Sequence, residues 1–217
     1  MLKAEFWLDK WEKGEIGFHQ NEINANLKQY WSTLNLEVGD VVFVPLCGKT
    51  NDIAWLLAQG FKVVGVELSA SAIESLFEAL KTKPTVTDEG HFRRFTADNI
   101  TIFQGDFFKL TTSHIGSVQA IYDRAALVAL PLDMRQAYTA RLMEITQKAP
   151  QLLVTLSYDQ SLLAGPPFSV TPSEVQQHYE NAYHIVTLKS DLLPEGFKTV
   201  QEVTQAVWCL RSTALSD

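Results

Sequence analysis

From residue 41 onward, short apolar runs alternate with longer stretches whose apolar residues recur at helical spacing. Residues 41–45 form a β-branched run, followed by the turn sequence Leu46-Cys47-Gly48-Lys49-Thr50-Asn51. Residues 52–59 put Ile53, Leu56 and Leu57 on one helical face, with Gly60 as a stop signal. Residues 62–67 read as a second buried strand. Residues 69–81 read as a second helix, with Ile73, Leu76, Phe77 and Leu80 at helical spacing. Residues 101–104, 120–122 and 152–157 predict three further strands, and residues 132–148 a long helix behind Pro131. Thr171-Pro172-Ser173-Glu174 is a capping-box sequence with proline at the first helical position, so another helix starts there.

Strand and helix alternating in this order predict parallel strands joined by right-handed crossovers. The fold class is therefore α/β: a Rossmann-like, doubly wound, mostly parallel sheet with helices on both faces. Residues 182–188 and 205–212 are apolar at every second place in part, with no helix between them. They predict an antiparallel pair at the C-terminal edge. Residues 1–40 carry Trp7, Trp11, Phe18, His19, Tyr30 and Trp31 and are taken as an aromatic, helical cap. Residues 82–99 are polar and read as a surface insertion. The whole, 217 residues, is expected to be one domain.

Composition narrows the function. An apolar fraction of 46% suffices for a substantial core. No apolar run reaches the roughly 18 to 20 residues that cross a bilayer, and the first residues lack the apolar stretch of a secretory signal. A cytoplasmic protein is expected. The net charge of -7 and the lack of any basic run argue against nucleic acid and anionic membranes as partners. Cys47 and Cys209 have no ligand-like neighbours, so no metal site is expected.

The first strand, its turn and the next helix form the place where an open α/β sheet binds a nucleotide-like ligand. Gly48 lets the backbone approach such a ligand. Glu67 ends the second strand at about the 20-residue offset from which a carboxylate accepts from ribose hydroxyls. The alternative is a tight turn at Gly48 and a solvated Glu67. The turn has one glycine rather than G-x-G-x-x-G, and no phosphate-loop motif. A ligand with ribose and adenine but no phosphates relaxes that demand, and S-adenosylmethionine is one.

The stretches W-L-D-K-W and G-F-H-Q, F-V-P-L-C-G-K, V-V-G-V-E-L, Y-D-R-A-A-L-V-A-L, and L-S-Y-D with G-P-P-F resemble the thiopurine S-methyltransferase family over nearly the full chain. The resemblance implies methyl transfer from S-adenosylmethionine to the sulfur of aromatic or heterocyclic thiols such as thiopurines. The resemblance also implies selenium and tellurium compounds as further acceptors, and a monomer is expected. Carried over residue by residue, it implies cofactor contacts at Trp7, Trp11, Phe18, Leu46, Gly48, Glu67, Asp106, Phe107 and Arg124. Asp106, where mammalian members carry a small residue, suits the adenine amino group.

The aromatic lead-in has a physical reason, because tryptophan faces stabilise a desolvated sulfonium by about 1 to 2 kcal/mol each. Phe18 and Phe168 are expected to contact the acceptor, Phe168 from a rigid Gly165-Pro166-Pro167 loop. Arg124 suits an anionic acceptor or the cofactor carboxylate. Candidate proton acceptors are Asp9, His19 and Asp123, each with a plainer alternative: a helix start, a packed polar residue, a local partner of Arg124. A nicotinamide-dependent oxidoreductase would want three loop glycines and a Tyr-Lys or His donor, which are not found. A non-catalytic cofactor-binding module stays open as the other alternative.

Overall fold

β-branched runs bounded by turns are what a strand covered on both faces requires, and here they form the middle of one sheet. The computed structural model describes residues 4–17 and 19–213. Among these, β1 (Val41–Val44), β2 (Lys62–Glu67), β5 (Ile100–Gln104), β6 (Ala120–Arg124) and β7 (Gln151–Ser157) are parallel neighbours. β3 (Thr85–Glu89) and β4 (Phe92–Ala97) form an antiparallel hairpin added beside β5. At the other edge β9 (Thr204–Ser212) runs antiparallel between β7 and β8 (Tyr183–Leu192). The full order is β3-β4-β5-β2-β1-β6-β7-β9-β8.

The mostly parallel sheet and its antiparallel C-terminal edge are as expected. The segment 82–99 is more than a polar insertion. Its β3 is exposed along most of its length, which hides the strand from any reading of apolar alternation, while Phe92 and Phe95 on β4 are buried. Two aromatic anchors on one strand hold the pair to the sheet.

The core divides by the pleat, since alternate side chains of a strand face opposite ways. Val42 and Val44 join α2 (Ala25–Tyr30), α3 (Asp52–Ala58) and α4 (Ala70–Ala79) on one face, through Leu27, Ile53 and Leu76. Phe43 faces the other side, where α6 (Leu132–Ile145) and α7 (Pro172–Tyr179) bring Tyr138, Leu142, Val175 and Tyr179. Trp31 is buried in the first of these clusters, edge-on to Trp55, Phe61 and Tyr122, so it serves packing.

Helix ends follow their signals. Ser69 caps α4 by accepting from Ala72 N–H, and Thr171 caps α7 with Pro172 at its first turn. α6 and α7 are joined by an ion pair that is almost dry. Arg135 Nε is 2.5 Å from Glu174 Oε1, Nη2 is 2.9 Å from Oε2, and Nη1 donates to the Leu130 carbonyl. α1 (Ala4–Glu12) has no buried residue and packs against α4, above the C-terminal ends of the parallel strands. The short α5 (Thr112–Ile115) links β5 to β6. Among the described residues, no helix is long and apolar enough to cross a membrane.

Candidate active site

The strand order turns back between β1 and β6, because β2 lies on one side of β1 and β6 on the other. In open α/β sheets the crevice beyond the carboxyl ends of such strands is where ligands sit. Three backbone turns meet there: residues 45–51 after β1, 67–69 after β2, and 124–130 after β6.

The first two turns are locked together by Glu67. Its Oε2 accepts the Gly48 N–H at 2.8 Å, and its Oε1 accepts those of Leu68 and Ser69 at 2.7 and 2.8 Å. The residue is only 6% exposed. Burial pushes its carboxyl up from the ordinary range, while the three N–H groups pull it back in part. A carboxylate offers about four lone-pair sites, so one remains for a further donor.

Gly48 is required by two constraints. Its φ is +53°, and a Cβ there would lie 3.0 Å from Cζ2 of Trp11. The indole of Trp11 thus covers the turn, and the same Cβ would be 3.9 Å from Glu67 Oε2. Leu46, two residues earlier, has φ +44°, and Ala125 at the end of β6 has φ +62°. Side-chain-bearing residues in this region cost on the order of 1 kcal/mol or more and cluster where function holds them. Here they stand on either side of the crevice. Cys47 is buried against β2, where its N–H donates to the Val66 carbonyl; its thiol is pushed well up by burial and is inert packing.

The segment leading out of the N-terminal cap is strapped over the same end of the sheet. Asp52, almost fully buried, accepts the Asn24 N–H at 2.8 Å and the Tyr122 hydroxyl at 2.9 Å. Asn51 donates to the carbonyls of Gln20 and Asn21. This strap brings His19 beside Lys49 and Asn51 in a cleft of about 310 Å³ that also touches Ser75 and Glu78 of α4. Desolvation, with Lys49 and Arg124 nearby, lowers the imidazole below its ordinary range, so His19 is mostly neutral at pH 7. A larger groove of about 500 Å³ lies elsewhere, between α4 and the β3–β4 hairpin, lined by Phe77, Pro84 and Phe95 together with Lys81 and Lys83.

The expected site residues separate into groups. Trp11, Leu46, Gly48, Glu67, Arg124 and His19 gather around the crevice. Asp106 is exposed at the end of β5, where it accepts from Phe108 N–H and caps a single turn at Phe107–Lys109. Phe107 is buried, its ring 4.8 Å from that of Tyr138. Trp7 packs edge-on to Phe6 on α1. Asp9 is tied to Lys13, one residue past the end of α1, at 2.7 Å. Phe168 lies against Gly165, where a Cβ would come within 2.6 Å of its ring. Phe18 lies outside the described residues.

The loop bearing Phe168 is knitted by bonds that no sequence motif announces. Tyr158 hydroxyl donates to the Pro167 carbonyl, Ser169 Oγ donates to the Tyr158 carbonyl, and Ser169 N–H donates to Gln160 Oε1. Lys49, Asp52 and Tyr122 were likewise missed. Each is visible only once residues far apart in sequence are brought together. Among the described residues no His, Cys, Asp and Glu cluster is arranged to hold a metal ion.

The family model for thiopurine S-methyltransferase matches residues 2–213. The chain belongs to that family. It is 48% identical to the thiopurine S-methyltransferase of Teredinibacter turnerae over 209 residues, covering 96% of this chain and 97% of that one. It is 48% identical to that of Xanthobacter autotrophicus over 210 residues, covering 96% and 99%. Among solved structures it resembles a Burkholderia thailandensis 1,6-didemethyltoxoflavin-N1-methyltransferase with bound 1,6-didemethyltoxoflavin and S-adenosylhomocysteine. That likeness has a TM-score of 0.64 at 15% identity, covering 96% of this chain and 87% of that chain. An S-adenosylmethionine-dependent methyltransferase from Anabaena variabilis gives a TM-score of 0.58 at 16% identity, covering 97% and 96%. Family and fold together make the chain an S-adenosylmethionine-dependent methyltransferase.

Proposed function

We propose that this chain methylates the sulfur of aromatic or heterocyclic thiols, thiopurines among them, and also takes selenium and tellurium nucleophiles. The observation that carries the reading is the joint of Gly48, Glu67 and Trp11 at the point where the strand order reverses. It fits an adenosine-bearing ligand without phosphates: a buried carboxylate with one acceptor site left, a turn stripped of its side chain, and an indole above it. Bound S-adenosylmethionine supplies, on its sulfonium, the methyl group that the acceptor takes.

Glu67 accepts from a ribose hydroxyl, and the turn at Leu46 and Gly48 lines the amino-acid end. Asp106 receives the adenine amino group, with the Phe107 backbone beside it. Trp7, Trp11 and Phe18 cover the crevice, exclude water and favour a desolvated cation. Arg124 steadies an anionic acceptor or the ligand carboxylate, and Phe168 with Phe18 stacks on a flat ring. The gain comes mainly from holding the acceptor in line, since orientation can supply about 7 to 11 kcal/mol.

An aromatic thiol is acidic enough to arrive largely ionised, so no strong base is needed. His19, neutral at pH 7 and next to Arg124, is suited to take a proton from less acidic acceptors. Asp9, bound to Lys13, takes that part only by leaving its partner. We assign the protein to the cytoplasm as a monomer acting on small molecules.

Titration calorimetry with S-adenosylhomocysteine beside NAD tests the ligand. Micromolar or tighter binding of the first and none of the second is expected. Glu67→Ala should weaken that binding by about 1.5 to 3 kcal/mol. Binding of NAD alone would restore the oxidoreductase alternative. Product binding without methylation of any sulfur, selenium or tellurium acceptor would leave the non-catalytic module.

A further inference from the structure

Asp123, a candidate proton acceptor by sequence, stands one residue before Arg124 on β6 and is completely buried. Its Oδ1 accepts the Leu127 N–H at 3.1 Å and its Oδ2 accepts the Tyr138 hydroxyl at 2.8 Å. The Ala126 N–H adds a third donor. Between strand and turn, Ala125 takes φ +62°. A carboxylate is thus clamped across the bend that carries Arg124, and its far oxygen is anchored to α6 through a tyrosine that is itself fully buried. Successive side chains of a strand face opposite ways, so Arg124 lies on the Tyr122 side of the sheet while Asp123 faces α6. There the Arg124 charge acts on both Tyr122 and His19.

The arrangement is expensive for folding. Burial pushes the Asp123 carboxyl up to about 6, the three donors drawing it down from higher still. A carboxyl raised in the folded state favours its neutral form there. That stabilisation is complete below the ordinary carboxylate range and is lost as pH rises through about 6. At neutral pH the protein therefore carries an ionised carboxylate at the expense of stability. An asparagine has the same shape but only one acceptor oxygen, so it keeps the Leu127 N–H bond in weaker, uncharged form and no longer accepts the Tyr138 hydroxyl. Residues that weaken the fold where an uncharged isostere would fit are expected at functional positions.

We propose that Asp123 is a positioning residue whose buried, ionised carboxylate, gripping the Leu127 N–H and the Tyr138 hydroxyl, holds the Arg124–Leu127 bend in the course that presents Arg124 to an anionic acceptor. The inference rests on the methyl-transfer reading. Ionisable neighbours do not blur it. Tyr138 on α6 and Tyr179 on α7 are pushed well above their ordinary values by burial, as is Tyr122 on the same strand. β7 sets Leu153 beside Asp123 in the ladder. His19, lowered in its titration, also lies near Arg124, and Asp52 brings a second carboxylate to the Tyr122 side of the sheet.

The test is the pH profile of kcat/KM for 5-thio-2-nitrobenzoate, an aryl thiolate, with purified full-length protein and saturating S-adenosylmethionine. Wild type should lose rate on the acid side with a midpoint near pH 6. Asp123→Asn should flatten that limb and run at the low acid-side rate throughout, about tenfold or more below the wild-type plateau. It should also melt no lower than wild type at about pH 8, and bind S-adenosylhomocysteine within about twofold of wild type. Tyr138→Phe, which removes one of the two anchors, should lower the plateau by less than Asp123→Asn does and move the limb to higher pH. An Asp123→Asn protein that keeps the wild-type limb overturns the proposal. So does a Tyr138→Phe limb that does not move, or an Asp123→Asn protein that is merely less stable with an even loss of rate. A wild type that methylates no thiolate at any pH sinks the methyl-transfer reading and this one with it; an active wild type with an unmoved limb sinks the positioning role alone.

Discussion

Adding a single methyl at Gly48 probes the joint on which the site is built. In the Gly48→Ala protein the backbone must keep φ +53°, which costs an L-residue about 1 to 2 kcal/mol. The neighbour Leu46 at φ +44° shows that the turn can carry such a residue. The new carbon meets Trp11 Cζ2 at 3.0 Å and Cη2 at 3.4 Å, so the indole must retreat by a few tenths of an ångström. Trp11 rides on α1, which buries none of its residues, and the ring can give way. The stability loss is therefore mainly the backbone contribution. At about 2 to 4 °C per kcal/mol for a chain of this size, the melting temperature should fall by about 2 to 8 °C. The displaced indole is felt in binding, where S-adenosylmethionine affinity should drop by about tenfold. The assay is a double-mutant cycle by calorimetry with Gly48→Ala, Trp11→Ala and both together. If the methyl meets the indole, the affinity loss from Gly48→Ala shrinks in the Trp11→Ala background, with a coupling of about 0.5 to 1 kcal/mol. Equal losses in both backgrounds would refute the steric argument.

Three further outcomes follow from buried contacts. Glu174→Ala strands the Arg135 charge and should cost about 3 to 5 kcal/mol, seen as a melting point lower by about 6 to 20 °C. Burial raises the Glu174 carboxyl, but His178 and Arg135 outweigh it and leave it depressed. The pair's stabilisation should therefore be complete above the ordinary carboxylate range and fade as pH falls through the depressed value, so wild type and Glu174→Gln should converge in strong acid; a gap that persists there would contradict this. Tyr122→Phe leaves one Asp52 oxygen without its donor and should lower stability by about 1 to 3 kcal/mol in urea melts, whereas an unchanged midpoint would deny the strap its energetic weight. Tyr158→Phe frees the Pro167 carbonyl and should raise the thiol KM with little change in kcat or product affinity; a selective fall in kcat would instead give Tyr158 a part in the reaction.

The parallel strands were legible because both their faces are buried, leaving unbroken runs such as Val63, Val64 and Val66 between helix signals. α4 was legible from the helical spacing of Ile73, Leu76, Phe77 and Leu80, and α7 from the capping box at Thr171 with Pro172. The β3–β4 hairpin was not, since β3 is exposed along nearly its whole length and only Phe92 and Phe95 betray its partner. At the site, Gly48 and Glu67 could be paired from spacing alone, because a glycine after one strand and an acid after the next meet wherever the strands are adjacent. Asp52 with Asn24, Asp123 with Tyr138, and Tyr158 with Pro167 could not. Those contacts depend on how helices and loops settle on the sheet, and local periodicity carries no record of that. Asp123 stood within a motif in plain view, yet its role needed the α6 tyrosine in place.

Methyl transfer to a soft nucleophile at the β1–β6 crevice can be read out by incubating the purified protein with S-adenosylmethionine and 6-mercaptopurine, followed by mass spectrometry of both products. S-methylated thiopurine and S-adenosylhomocysteine should form in equal amounts, with both lost together in Glu67→Ala at subsaturating S-adenosylmethionine. Tight binding of S-adenosylhomocysteine with no methylated thiopurine, and none when selenium or tellurium nucleophiles replace it, would contradict the claim.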